Sequence, residues 1–161
     1  VPLGDALRLF AGWLEPGGLL YASLNYDGET SLLPASDDEV FEATILAHYN
    51  DSMERRRVDG RPIGGAYCGR RLHRMLPGHG FEIIACGSSD WSLTPHLGEY
   101  RAGDAACLQA LLDMIGGEAQ RSGLFDQGRL ERWRADRLQS LRDRRLGLVA
   151  HQLDVLARRL P

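Results

Sequence analysis

The apolar positions of this chain fall into blocks, and the spacing within them changes from one block to the next. From Leu3 to Leu14 they recur at helical spacing, with Leu3, Leu7, Phe10, Ala11 and Leu14 on one stripe. Glu15-Pro16-Gly17-Gly18 breaks the pattern, because proline cannot continue a helix and paired glycines accept the positive φ of a reversal. Leu19 to Leu24 follows as an unbroken apolar run, which predicts a strand buried on both faces. The polar cluster Asn25-Tyr26-Asp27-Gly28 closes it as a loop at the strand's carboxyl end, and Glu29 to Ser36 continues as loop.

Further on, Ser36-Asp37-Asp38-Glu39 has the form of a capping box. It predicts a helix from about Asp37 to Tyr49 that buries Val40, Phe41, Thr44, Ile45 and either Ala47 or His48. Asn50-Asp51-Ser52 either ends that helix or starts a short one through Met53–Arg57, and Val58 to Gly65 is loop. Ala66 to Leu76 is helical and is stopped by Pro77-Gly78-His79-Gly80. Phe81 to Cys86 is a second strand, with Gly87-Ser88-Ser89-Asp90-Trp91 at its end. A long helix begins at Ala102 or Gly103-Asp104 and runs through Ala119, across Gly116-Gly117. Asp126 caps another from Gln127 to Asp143, whose many charges form a solvated face. Leu146 to Leu156 is a third strand. The order is helix–strand–helices–strand–helices–strand, an α/β pattern in which the last strand can run antiparallel.

Composition narrows the function classes. With 161 residues, 43% hydrophobic and 25% charged, the chain holds enough material for a globular core. A net charge of −3 gives no general attraction to nucleic acid or to an anionic membrane. No apolar run reaches the roughly 18 residues of a membrane span, and no signal peptide opens the chain, so a cytoplasmic location is expected. All 19 basic residues are arginine. That removes any Schiff-base or Walker-type lysine from this chain. Cys68, Cys86 and Cys107 form no CxxC pair and are expected to be buried free thiols. His73 and His79 do not have the spacing of a metal site. The chain opens on Val1 rather than Met, as a processed product or a part of a longer protein does.

Candidate chemistry sits at the two strand ends, where open α/β sheets bind ligands. Asn25 offers an amide, Tyr26 a phenol or ring face, and Asp27 a carboxylate; the same residue types also simply make turns. Ser89, Asp90 and Trp91 occupy the second end, and Trp91 is either a cover for substrate or a partly buried core ring. A serine hydrolase does not fit, because Gly87-Ser88-Ser89-Asp90-Trp91 lacks the closing glycine of G-x-S-x-G. Between the first two strands lie His48, Tyr49 and Asn50, then Arg55-Arg56-Arg57 and Arg61, which either hold an anion or remain solvated. His151 in the last strand reads as a satisfied core histidine.

Three segments carry a family resemblance. Ala6 to Asp27, ALRLFAGWLEPGGLLYASLNYD, resembles the helix, L-x-PGG turn and fifth strand of the class I S-adenosylmethionine-dependent methyltransferases. Leu72 to Gly87, LHRMLPGHGFEIIACG, is similar to that family's next helix, L-x-x-x-GF turn and sixth strand. Leu146–Leu156 then fits its seventh strand, which in that fold runs antiparallel between the other two. The resemblance implies a partial Rossmann-like methyltransferase sheet, its last three strands with flanking helices, spanning residues 1–161. It also implies a helical substrate-cap insert at about 29–65. The implied cofactor is S-adenosylmethionine, and the implied function is methyl transfer to a small molecule or protein. Asn25, Tyr26, Asp27, Tyr49, Asn50, Ser89, Asp90 and Trp91 become the substrate-side candidates. The catalytic base stays open among His48, Tyr26, Tyr49 and Asp90. The family's glycine-rich donor loop is absent, and Gly64-Gly65 through Gly69 has the wrong context for it. The outer edge of Leu19–Leu24 is then exposed, to be covered by an amino-terminal half or a second copy. The alternative, from another class, is a non-catalytic α/β interaction module without a cofactor site.

Overall fold

Proline at position 2 opens the first helix, α1, Leu3–Trp13, where its missing N–H costs nothing. Leu14 leaves the helix in an extended conformation, and Gly17 takes φ +84° to turn the chain back. The computed structural model describes all residues, Val1–Pro161. After α1 come β1 (Leu19–Leu33), α2 (Glu39–Arg55), β2 (Arg57–Val58), β3 (Arg61–Pro62) and α3 (Cys68–Met75). A 3₁₀ turn at Pro77–His79 leads into β4 (Phe81–Ser88) and β5 (Trp91–Leu93). The chain then continues through α4 (Asp104–Ser122), α5 (Gln127–Arg142) and β6 (Gly147–Arg159).

The main sheet has the order β1-β6-β4, with β5 also on β6. β4 and β6 are antiparallel, with Phe81 opposite Arg159 and Ser88 opposite Leu153. β1 also runs opposite to β6. Gly17 N–H donates to Arg159 O, and Arg159 N–H donates to Gly18 O, both at 2.8 Å. Further along, Asn25 Nδ2 donates to Leu153 O at 2.8 Å. The protein is therefore α/β with an antiparallel sheet, its last strand lying between the two earlier long ones. No helix is long and apolar enough to cross a membrane.

The chain forms two compact units. The first comprises Val1–Glu29, Met53–Trp91 and Ala150–Pro161. Its core joins Leu7, Leu72, Leu76, Phe81, Val155 and Ala157, with Leu3, Phe10, Leu20 and Ala22 packed against it. The second comprises Thr30–Ser52 and Ser92–Val149. It buries Phe41, Ile45, Leu112, Ile115, Leu130 and Trp133, and α4 packs on α5. Of the stretch expected as one insert, residues 30–52 fall in the second unit and 53–65 in the first.

Several expectations are corrected. The first strand does not end at Leu24; it continues to Leu33, so Asn25–Gly28 lies inside a strand rather than in a loop. Leu24 takes φ +58°, and the strand runs on through the polar cluster. Nor is that strand buried on both faces. Leu20 and Ala22 meet the core, while Leu19 and Tyr21 are 56% and 65% exposed on the opposite side. Helix α2 runs on through Asn50–Ser52 to Arg55 and leaves Val40 exposed, because Phe41 and Ile45 take the inner face. The expected loop after Val58 contains the β2–β3 hairpin. In α5, one supposedly solvated charge, Arg137, is buried, held by Glu42, Asp136 and Pro34 O. Cys86 is exposed rather than buried.

Candidate functional site

The site is built outward from Leu24 of β1. Leu24 N–H donates to Asp154 Oδ1 at 3.0 Å, and Tyr21 Oη donates to Asp154 Oδ2 at 3.1 Å. These two bonds to β6 hold Leu24 at a positive φ that a leucine rarely adopts. Asn25 spends its amide nitrogen on Ala22 O, 3.1 Å, and Leu153 O, 2.8 Å. That nitrogen is backbone support and is not offered to a ligand.

Asp27, two residues on, is only 5% exposed. Its Oδ1 accepts from Arg70 N at 2.9 Å and Arg70 Nε at 3.0 Å, and Arg70 Nη2 approaches Oδ2 at 2.8 Å. Arg70 is the third residue of α3, whose first turn has no side-chain cap of its own. Asp27 therefore satisfies an orphan helix N–H from a neighbouring strand and places its charge at the positive end of the helix. Burial alone would raise the Asp27 carboxyl. The hydrogen bonds and charge of Arg70 outweigh burial and hold it below its ordinary value. Gly28 has φ +84°, and any Cβ there would collide with the Tyr67 ring, over which the Arg70 guanidinium sits at 4.9 Å. Tyr67, Arg70, Arg71 and Arg74 line an open recess of about 480 Å³.

At the end of β4, Ser89 N–H donates to Gln152 O at 3.2 Å, and the Ser89 hydroxyl is buried beside the Asp154 carboxylate. Asp90 Oδ1 lies 3.0 Å from His151 Nδ1. Trp91 is 39% exposed. The register explains the meeting of Asp90 and His151. Ser88 faces Leu153 across the antiparallel pair, so two residues further along Asp90 faces His151. On the other side of β6, the Asn25 side chain bonds Leu153 O, and Asp27 follows two residues on in β1. Asp27, His151 and Asp90 thus come from β1, β6 and the segment just past β4.

The structure brings Asn25 and Asp27 of β1 to one side of β6 and Ser89 and Asp90, just past the end of β4, to the other, with Tyr26 half-buried in β1. Tyr49 and Asn50 belong to the second unit, in α2. There Tyr49 Oη lies 3.9 Å from Met114 Sδ, and Asn50 is buried. His48 is edge-on to Phe125 at 5.2 Å with its Nε2 buried and unpartnered. Arg57 bonds backbone carbonyls of Glu54 and Arg56, and Arg61 pairs with Asp5. No local pattern in the sequence marks Arg70, Tyr67 or Asp154 as site residues, and His151 reads there as a core histidine. The signal for His151 lies in strand register, which can be counted only once the last strand is known to sit between the other two.

The glycines near this region do not fit a cradle for the methyl donor. A Cβ on Gly65 would meet the Glu54 carboxylate and the Arg71 guanidinium, and one on Gly69 would meet Leu153 and Asn25 O. Both spaces are filled by the chain's own atoms. No group of three or more His, Cys, Asp or Glu residues is arranged to hold a metal ion. Comparison with family models and with curated proteins finds no match to this chain.

Proposed function

We propose that this chain carries the acceptor side of an S-adenosylmethionine-dependent methyltransferase, with the donor held by residues outside it. The strand order carries the reading. β1 and β4 run the same way without touching, and β6 runs between them in the opposite sense. This is the arrangement expected for the last three strands of a partial Rossmann-like methyltransferase sheet. The middle of β1, the carboxyl end of β4 and the amino-terminal part of β6 then meet at one set of polar residues, Asp27, Asp90 and His151. The acceptor is a small molecule or a protein side chain. In this reading the free outer edge of β1 is where further strands, or a second copy, pair.

The test is calorimetric titration of the full-length product of the gene with S-adenosylmethionine. Saturable binding is expected. Absence of binding, in a protein shown to be folded, ends the proposal.

A further inference from the structure

We infer that His151, oriented by Asp90, is the proton acceptor for an uncharged hydroxyl substrate, a phenol or alcohol; this rests on the methyltransferase reading above. An ionised carboxylate only accepts hydrogen bonds, so at 3.0 Å the hydrogen between the pair belongs to His151 Nδ1. In the neutral ring that leaves the lone pair on Nε2. Nε2 makes no hydrogen bond within the protein, and the His151 side chain is 32% exposed, so the lone pair is available to a ligand. Asp90 holds the tautomer and stabilises the imidazolium once it forms, which makes it a positioning residue.

The flanking groups choose the acceptor class. Asp90 lies on one side of His151. Asp27, on the other, is buried and neutralised by Arg70. The exposed Asp90 carboxylate repels an anionic acceptor. An ammonium ion would pair with Asp90 and keep its proton. A neutral hydroxyl suffers neither penalty. In the step itself the acceptor O–H bond breaks, its electron pair stays on oxygen, and the proton passes to His151 Nε2. The imidazolium later returns that proton to water.

The test uses the full-length gene product labelled with ¹⁵N-histidine, and 4-nitrophenol as the probe. Long-range ¹H–¹⁵N spectra above neutral pH should show His151 protonated at Nδ1, with Asp90→Asn redistributing the hydrogen between the two nitrogens. At a pH where free 4-nitrophenol is largely un-ionised, the wild-type protein should generate the phenolate absorption band. His151→Gln should abolish the band, and Asp90→Asn should weaken it. Purely structural roles for these residues would leave the band unchanged in a folded variant. If His151→Gln does not fold, Asp90→Asn, at an exposed position, still decides. A His151 protonated at Nε2, or a band of equal strength in wild type and variants, overturns the inference. Titration with S-adenosylmethionine reads the enzyme class separately. A null result there, with tautomer and band as expected, removes the methyltransferase and leaves the base.

Discussion

Asp27 accepts from both the backbone and the guanidinium of Arg70, so a change at this residue reaches β1 and α3 together. Asp27→Ala should cost about 2 kcal/mol, the usual loss for hydrogen bonds to a charged group, measurable by urea denaturation. The pH dependence has a definite sign. The folded carboxyl is held below its unfolded value of about 3.9. Its contribution is complete above that value and disappears as pH falls through the lower folded one. Asp27→Asn should therefore flatten stability against pH below about pH 4. Gly69 is the companion case, because a methyl group there would meet Leu153 Cβ at 2.8 Å and Asn25 O at 2.9 Å. Gly69→Ala should destabilise by about 1–3 kcal/mol, the range for overpacking, read from the same denaturation curves. The polar cluster Asn25–Asp27 was legible in the sequence as a place of interest. Its division of labour was not. Asp27 finds its partner 43 positions away, and no local pattern reports such a separation.

At the scale of elements, α2 and α5 share a buried polar network. Trp133 Nε1 donates to Glu42 Oε2 at 2.8 Å, and Arg137 Nε lies 3.4 Å from the same oxygen. Burial raises the Glu42 carboxyl and outweighs the lowering by Trp133 and Arg137. Because the folded value is raised, the stability Glu42 contributes is fully present below its unfolded value and is lost as pH rises through the folded one. Arg137→Met should cost about 3 kcal/mol, since it leaves a buried carboxylate without its cation. Thermal unfolding at neutral pH checks this, and adding Glu42→Gln should recover part of the loss. Periodicity located α1, α4, α5 and the three long strands because their apolar positions repeat. It could not say which charges of α5 turn inward, since Arg137 has the same helical spacing as its exposed neighbours. It also misjudged the end of β1. Asn and Gly usually stop a strand, but here the side chains of Asn25 and Asp154 bridge to the backbone and let the pairing resume.

Across the whole molecule, the sheet has one strand, β6, paired on both sides and two long strands, β1 and β4, at its edges. Hydrogen exchange should separate them. Amides in the middle of β6 should be the slowest to exchange, while alternate amides of Leu19–Leu24, facing the free edge of β1, should exchange fast. Uniform protection along β1 would mean that another chain covers that edge. The central place of β6 also bears on how the protein is made. β1, β4 and β5 find their partner only in residues 147–159, and synthesis proceeds from the amino end. While the ribosome is still adding α4 and α5, neither finished long strand has anything to pair with. Nascent chains halted before Leu146 should stay open to protease, and release of the segment through Arg159 should close the sheet in a single step. A growing chain that must wait so long for its central strand is one that a holding chaperone would serve.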